Sequence, residues 1–397
     1  MRVAIVCDTM SAYGGAERVI EQMMEVFPQS DLFTVLDAVP KGERSFLENR
    51  PITSSFLQKL PYVDRYYRKL LHLWSLAIEQ LDVTDYDVVI SSHHSVANGV
   101  ITRPYQCHVS YVHSPMRYAW DLQHEYLRES NLVRGPLSWY ARRVLHQARL
   151  WDFAAAQRPD SLAANSHFVA ERIRKFYGRP ATVLYPPVDL AAFPLNRERR
   201  GGYYVTASRL VPYKRVGLIA QAFARMSGRK LKIIGSGPDL AQVRSIAGPN
   251  VEVLGWQPAE TLVDLVSNAD GFIFGGVEAF GISLVEAQAA GTPVIAYADG
   301  GALETVNDLG ASMPTGVLFD EQNPEAICAA IDRFEEHRGA FQPAACRQNA
   351  ERFAQQVFRD QFRDFVLEAY DERRGRAASS GKVGFRRPAI VSSGAAI

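Results

Sequence analysis

The sequence predicts an α/β protein made of two Rossmann-like domains, each a doubly wound parallel sheet, facing each other across a cleft. Three observations predict it. The chain has 397 residues, 47% of them apolar, which is more than one ordinary core needs. Short runs rich in Val, Ile and Tyr alternate with helical patterns, the signature of parallel sheets with crossover helices. The runs fall into two series, joined through Tyr185-Pro186-Pro187-Val188-Asp189, where two prolines forbid helix and stiffen the chain.

In chain order, the first series of expected strands covers residues 3–7, 32–36, 88–91, 107–112 and 161–164. Tyr13-Gly14-Gly15-Ala16-Glu17-Arg18 follows the first of them and opens a helix, and its glycines allow close approach to a phosphate or sugar. Residues 61–78 read as an amphipathic helix. Val63, Tyr67, Leu70, Leu71, Trp74 and Ile78 share one face, opposite Arg65, Arg68, Lys69 and His72. That pattern fits a core-packed helix with a basic outer side, or an interfacial helix on an anionic bilayer extended by Trp139-Tyr140-Ala141-Arg142-Arg143. The second series covers residues 203–207, 231–234, 251–254, 271–274, 293–296 and 317–319. The expected domains are residues 1–185 and 186–372, with the last helix free to return to the first domain. Residues 373–397 carry six basic side chains and no acidic one, and read as a disordered tail.

Composition narrows the partners. Lys and Arg total 44 against 43 Asp and Glu, so nothing electrostatic points to nucleic acid. Cys7, Cys107, Cys328 and Cys346 lack both metal spacing and a disulfide rhythm, which fits a reduced cytoplasmic compartment. The opening apolar run is too short for a secretory signal, and no stretch reaches the roughly 18 apolar residues of a spanning helix. Any membrane contact is therefore expected at the surface.

The chemistry concentrates beyond strand ends. Gly275-Gly276-Val277-Glu278-Ala279-Phe280-Gly281-Ile282-Ser283-Leu284-Val285-Glu286 follows an apolar strand and becomes helical near Gly281. Ligands of open α/β sheets bind there, and helix-initial amides make donors for phosphate or sugar. Glu278 on the turn suits a sugar ring and Glu286 a ribose diol, although such spacing alone is more often met by two solvated surface charges. Ala207-Ser208-Arg209-Leu210-Val211-Pro212-Tyr213-Lys214 leaves another strand with two cations suited to a diphosphate. His113, in Tyr111-Val112-His113-Ser114-Pro115-Met116-Arg117-Tyr118, also sits just past a strand. Asp85-Tyr86-Asp87 precedes a strand, away from the expected cleft, and reads as structural rather than metal-binding. Gly235-Ser236-Gly237-Pro238 has Leu240 where a dinucleotide site needs its third glycine, so it is expected to border a nucleotide without forming an NAD site. Trp256 is expected near the base, and His93-His94 either in a loop near the acceptor entrance or in a simply structural role.

The run from Glu278 to Glu286, followed by Ala289-Ala290-Gly291-Thr292-Pro293, closely resembles the signature of the family 4 glycosyltransferases, and the Arg209/Lys214 segment, the Gly14-Gly15 turn and His113 match further family positions. The resemblance spans residues 1–372. It implies the GT-B fold and retaining transfer from a nucleotide-diphosphate sugar without an essential metal. It assigns Glu278 to the donor sugar, Glu286 to the ribose, and Arg209 and Lys214 to the diphosphate. Gly14, Gly15, Phe280, Gly281 and Ile282 complete the donor site, and His113 lies beside the transferring sugar. The segment from Tyr111 to Asp121 looks most like bacterial mannosyltransferases of O-antigen and exopolysaccharide assembly. That likeness implies GDP-mannose as donor and a polyprenyl-diphosphate-linked oligosaccharide, such as cellobiosyl-diphosphopolyprenol, as acceptor at the cytoplasmic face of the bacterial inner membrane. The alternatives are a UDP-sugar transferase or epimerase on the same fold, and a non-catalytic sugar- or nucleotide-binding protein.

Overall fold

The computed structural model describes residues 1–379 except Asn49, Arg199 and Arg200. Seven parallel strands form the first sheet: β1 (Val3–Met10), β2 (Asp31–Asp37), β3 (Ile52–Ser54), β4 (Val88–His93), β5 (Cys107–Val112), β6 (Ser161–Ala164) and β7 (Thr182–Val183), in the order β3-β2-β1-β4-β5-β6-β7. Six more form the second: β8 (Tyr204–Ala207), β9 (Leu231–Ile234), β10 (Val251–Gly255), β11 (Gly271–Phe274), β12 (Val294–Tyr297) and β13 (Gly316–Phe319), in the order β10-β9-β8-β11-β12-β13. Each sheet reverses its winding beside its own first strand, which opens a crevice at the carboxyl ends of the strands.

Alternation explains why these strands are buried on both faces. Val3, Ile5 and Cys7 of β1 enter one core, while Ala4 and Val6 enter another with Trp74 and Ile78. In the second sheet Val205, Phe272 and Phe274 pack on one side and Tyr204, Ile273 and Ile295 on the other. Every expected strand is present, within a few residues at its ends. The short edge strands β3 and β7 were not expected, being two or three residues long without apolar alternation.

Two expectations are corrected. Residues 61–78 do not form one helix: Tyr62 has a left-handed backbone (φ +54°), short 3-10 turns follow at Val63–Arg65 and Tyr67–Leu70, and only Leu71–Glu79 is α-helical. Its apolar side chains are consumed by the protein, since Val63, Trp74 and Ile78 are buried and Tyr67, Leu70 and Leu71 pack beside them. The expected tail is helical over its first residues, because the Gln355–Ser379 helix runs through Arg373, which pairs with Asp160 at 3.1 Å. Residues 380–397 lie outside the described residues. The same helix crosses back to the first sheet, where Phe358, Phe362, Val366 and Ala369 join the core of Ile5, Met23 and Tyr111.

Candidate active site

The facing strand ends enclose a crevice with two lobes that meet at Ser283. The larger has a volume of about 720 Å³, with Gly15, His94 and His113 on the first-domain side and Lys214, Glu278 and Gly281 on the other. The smaller, about 670 Å³, is lined by Tyr13, Arg209, Gly235, Ser236, Gly237, Trp256 and Glu286. Of the site residues singled out in the sequence, all but Gly14 line this one crevice, divided between its lobes. Lys214 and Glu278 share one, Arg209 and Glu286 the other.

Local structure fixes each group. Lys214 closes the 3-10 turn Pro212–Lys214, ahead of a left-handed Arg215, and its ammonium pairs with the Glu278 carboxylate. Burial, with Arg117 beside it, pushes the Lys214 pKa down to about 8. The turn carrying Glu278 is pinned to the next loop, where Gly301 donates its N–H to the Glu278 carbonyl at 2.9 Å. Beyond it, Gly281 at φ +90° starts the Ile282–Ala289 helix without a side-chain cap, leaving the first helical amides for a ligand. Phe280 borders the lobe, but its ring belongs to the core, 5.1 Å from the Phe353 ring and 5.7 Å from that of Tyr185.

Arg209 is positioned by the loop after β9. Ser208 donates to the Ile234 carbonyl at 3.1 Å and Leu210 to that of Ser236 at 2.9 Å. Gly235, at φ +133°, is required there because a Cβ would strike the Ser208 carbonyl. Glu286, inside its helix, reaches the opposite domain and accepts from Arg18 at 2.5 Å. The Gly14-Gly15 turn provides the matching approach. Gly14 caps the Gly15–Val26 helix in an extended conformation and donates to Glu17 at 3.1 Å, and a Cβ on Gly15 would lie 3.2 Å from Ile282. The turn thus lies close to Ile282 across the crevice without an unusual backbone angle, and an added Cβ on Gly15 would press on the tip of that side chain.

His113 borders the larger lobe with Nε2 2.9 Å from the Ser92 hydroxyl. Burial pushes its pKa down to about 3, so it is a neutral hydrogen-bonding group. Asp87 accepts from the Arg2 amide at 2.7 Å, which makes Asp85-Tyr86-Asp87 a fastening for the start of β1. Among the described residues no group of three or more His, Cys, Asp or Glu is placed to hold a metal ion.

Three features were not found in the sequence. Arg18 bridges to Glu286. Arg117 enters the larger lobe beside Lys214. Asp8, fully buried at the end of β1, accepts from the amides of His94, Ser95, Val96 and Ala97 and from His94 Nδ1 at 2.6 Å. Burial favours the neutral Asp8 acid, but His94 and these donors hold its pKa well below the usual range. His94, 44% exposed, is turned to the lobe by this contact. Arg117 and Arg18 stand inside quoted motifs but carry no signal of their own; the Arg18 bridge forms only when helices of the two domains meet, and the Asp8 contacts only when β1 and β4 lie side by side.

Residues 13–192 match the family model described as Glycosyltransferase Family 4, and residues 191–353 match that described as Glycosyl transferases group 1. Between them these two glycosyltransferase models span residues 13–353. Among curated relatives, D-inositol 3-phosphate glycosyltransferase of Mycolicibacterium smegmatis is 28% identical over 263 residues, 59% of this chain and 57% of that one. The GDP-mannose-dependent monoacylated alpha-(1-6)-phosphatidylinositol monomannoside mannosyltransferase of Corynebacterium glutamicum is 38% identical over 177 residues, 37% of this chain and 46% of that one. The chain therefore spans about half the length of the curated relatives it matches. Anabaena Alr3699/HepE, solved with UDP, superposes with a TM-score of 0.66 at 17% identity, covering 93% of this chain and 100% of that one. Sucrose-phosphate synthase from Thermosynechococcus elongatus reaches 0.71 at 17% identity, covering 94% and 100%. At that identity the likeness concerns the fold, and that fold is GT-B.

Proposed function

We propose that this chain is a family 4, retaining hexosyltransferase that moves mannose from GDP-mannose to a lipid-linked, phosphate-bearing acceptor, a polyprenyl-diphosphate oligosaccharide. The observation that carries the reading is the convergence of Arg209, Lys214, Glu278 and Glu286 on one interdomain crevice. In this reading the nucleoside occupies the smaller lobe, with Glu286 on the ribose and Trp256 near the base. The diphosphate lies near the junction, between Arg209 and Lys214. The sugar enters the larger lobe, where Glu278 and neutral His113 orient its hydroxyls. GDP-mannose is favoured by the relatives whose names carry that donor.

The bond from the anomeric carbon to phosphate breaks through an oxocarbenium-like transition state. Negative charge grows on the departing diphosphate, where two cations and the Ile282–Ala289 helix terminus stabilise it. The acceptor hydroxyl attacks from the face being vacated, and its proton passes to a diphosphate oxygen, so no protein base is needed.

A bilayer face accompanies this reading. On the Pro136–Ala155 helix, Leu137, Trp139 and Tyr140 are 68%, 69% and 52% exposed, next to exposed Arg142 and Arg143. Aromatic and cationic side chains of this kind suit an anionic lipid interface, a role for which the buried side chains at 61–78 are no longer available. No helix among the described residues is long and apolar enough to cross a membrane.

Incubating the protein and bacterial membranes with a panel of radiolabelled nucleotide sugars tests the proposal. Label from GDP-mannose should enter the lipid extract, and calorimetry should show GDP binding more tightly than UDP. Glu278→Gln should lower turnover about tenfold or more with an unchanged thermal midpoint. Label entering lipid from UDP-sugars alone would replace the donor, and normal turnover in the variant would remove Glu278 from its role.

A further inference from the structure

We infer that Arg117 is an anion-binding residue which, together with Lys214, holds a phosphate group in the larger lobe between the two domains. Its place in the chain is fixed. Met116 and Ala119 on either side are buried, and the Arg117 carbonyl accepts from Leu122 at 3.0 Å. The guanidinium lies over the Tyr213 ring, 5.4 Å from its centre, which brings it beside the next residue, Lys214. Both side chains line the same lobe. Their positive charges are close enough for Arg117 to help lower the pKa of Lys214.

Such crowding is unfavourable unless something negative lies between the two groups. The charge of Lys214 is answered by Glu278. Arg117 joins none of the ion pairs among the described residues, and its Nε is buried without a hydrogen-bond partner. Leaving a buried N–H of a charged group unmade is costly, and a ligand oxyanion would satisfy it. The planar guanidinium fork fits two oxygens of one phosphate, with the Lys214 ammonium closing on a third. Since Arg117 belongs to the first domain and Lys214 to the second, the same phosphate would tie the domains together. That the phosphate belongs to a substrate rests on the proposed glycosyl transfer; the anion site itself does not.

The experiment compares the parent with Arg117→Gln and Arg117→Lys, using inorganic pyrophosphate, GDP and guanosine in calorimetry and the membrane acceptor in turnover assays. If the donor supplies the phosphate, the Gln variant should bind GDP and pyrophosphate about tenfold more weakly while guanosine binding holds. If the acceptor supplies it, GDP affinity should hold, pyrophosphate should weaken, and the acceptor KM should rise about tenfold. In either arm Arg117→Lys, which keeps the charge, should recover part of the loss and provides a folded variant if the Gln form is unstable. Pyrophosphate affinity and acceptor KM both within about twofold of the parent, in whichever variant folds, would overturn the site. A protein that binds pyrophosphate through Arg117 but neither GDP nor UDP would instead fail the glycosyl-transfer reading and leave the anion site standing.

Discussion

Lys214 is the residue whose environment most directly sets a pH limit. A lysine attracts a diphosphate only while protonated, and burial brings its pKa down to about 8. The attraction is therefore present below that value and lost as pH rises through it. The donor kcat/KM should fall on the alkaline side of about 8, and Lys214→Arg, which stays charged, should flatten that limb. Asp8 sets the opposite limit, on stability. Its depressed pKa means that its stabilisation is complete above the ordinary carboxylate range and is lost as pH falls below it. Asp8→Asn should cost about 2–4 kcal/mol in denaturant unfolding at neutral pH. Glu278, Glu286, Arg209 and Lys214 were singled out by resemblance to a family signature lying just past strand ends, and all four line the one crevice. Asp8 and Arg18 were illegible because their partners lie 86 and 268 residues away.

At the scale of elements, periodicity worked where both faces of a strand are buried. It failed where an apolar pattern was satisfied without a regular helix: residues 61–78 carry helical spacing, yet the left-handed Tyr62 and successive 3-10 turns bend the chain along the wall of the larger lobe. The first turns of residues 373–397 were misread for the converse reason. Composition argued for a tail, while Arg373, paired with Asp160 and donating to the Pro104 carbonyl, keeps the start of that stretch on the protein. The loop after β9 offers a test of how elements aim a side chain. In Gly235→Ala the new methyl meets the Ser208 carbonyl at a backbone angle that L-residues rarely adopt. Displacement of the Arg209 loop should weaken nucleotide binding about tenfold in calorimetry, more than any accompanying loss of thermal stability explains.

For the whole molecule, two carboxylates of the second domain reach donors of the first, alongside the contact of Arg117 with the Tyr213 ring. Arg18 reaches Glu286 across the crevice, and Glu304 accepts from the His167 and Phe168 amides at 2.8 and 2.9 Å, placing a carboxylate of the second domain on a helix terminus of the first. Both are partly solvated, so each is worth about 0.5–1 kcal/mol, enough to bias an opening motion without locking it. The double variant Arg18→Ala/Glu304→Gln should have a larger radius of gyration in solution scattering, restored by GDP, and a donor KM raised about 2–5-fold. An unaltered scattering profile would show that these contacts do not govern opening.

The helix that returns to the first sheet also affects how the chain is made. On the ribosome, residues 1–183 emerge early, yet their core lacks Phe358, Phe362 and Val366 until translation has nearly passed the second domain. The second domain's own core waits for Ala350 and Phe353, so both cores are completed only as this last part of the chain is made. Until then the β1 surface awaiting those side chains is an apolar opening, and a chaperone or a second nascent chain would meet this protein there before any sugar does.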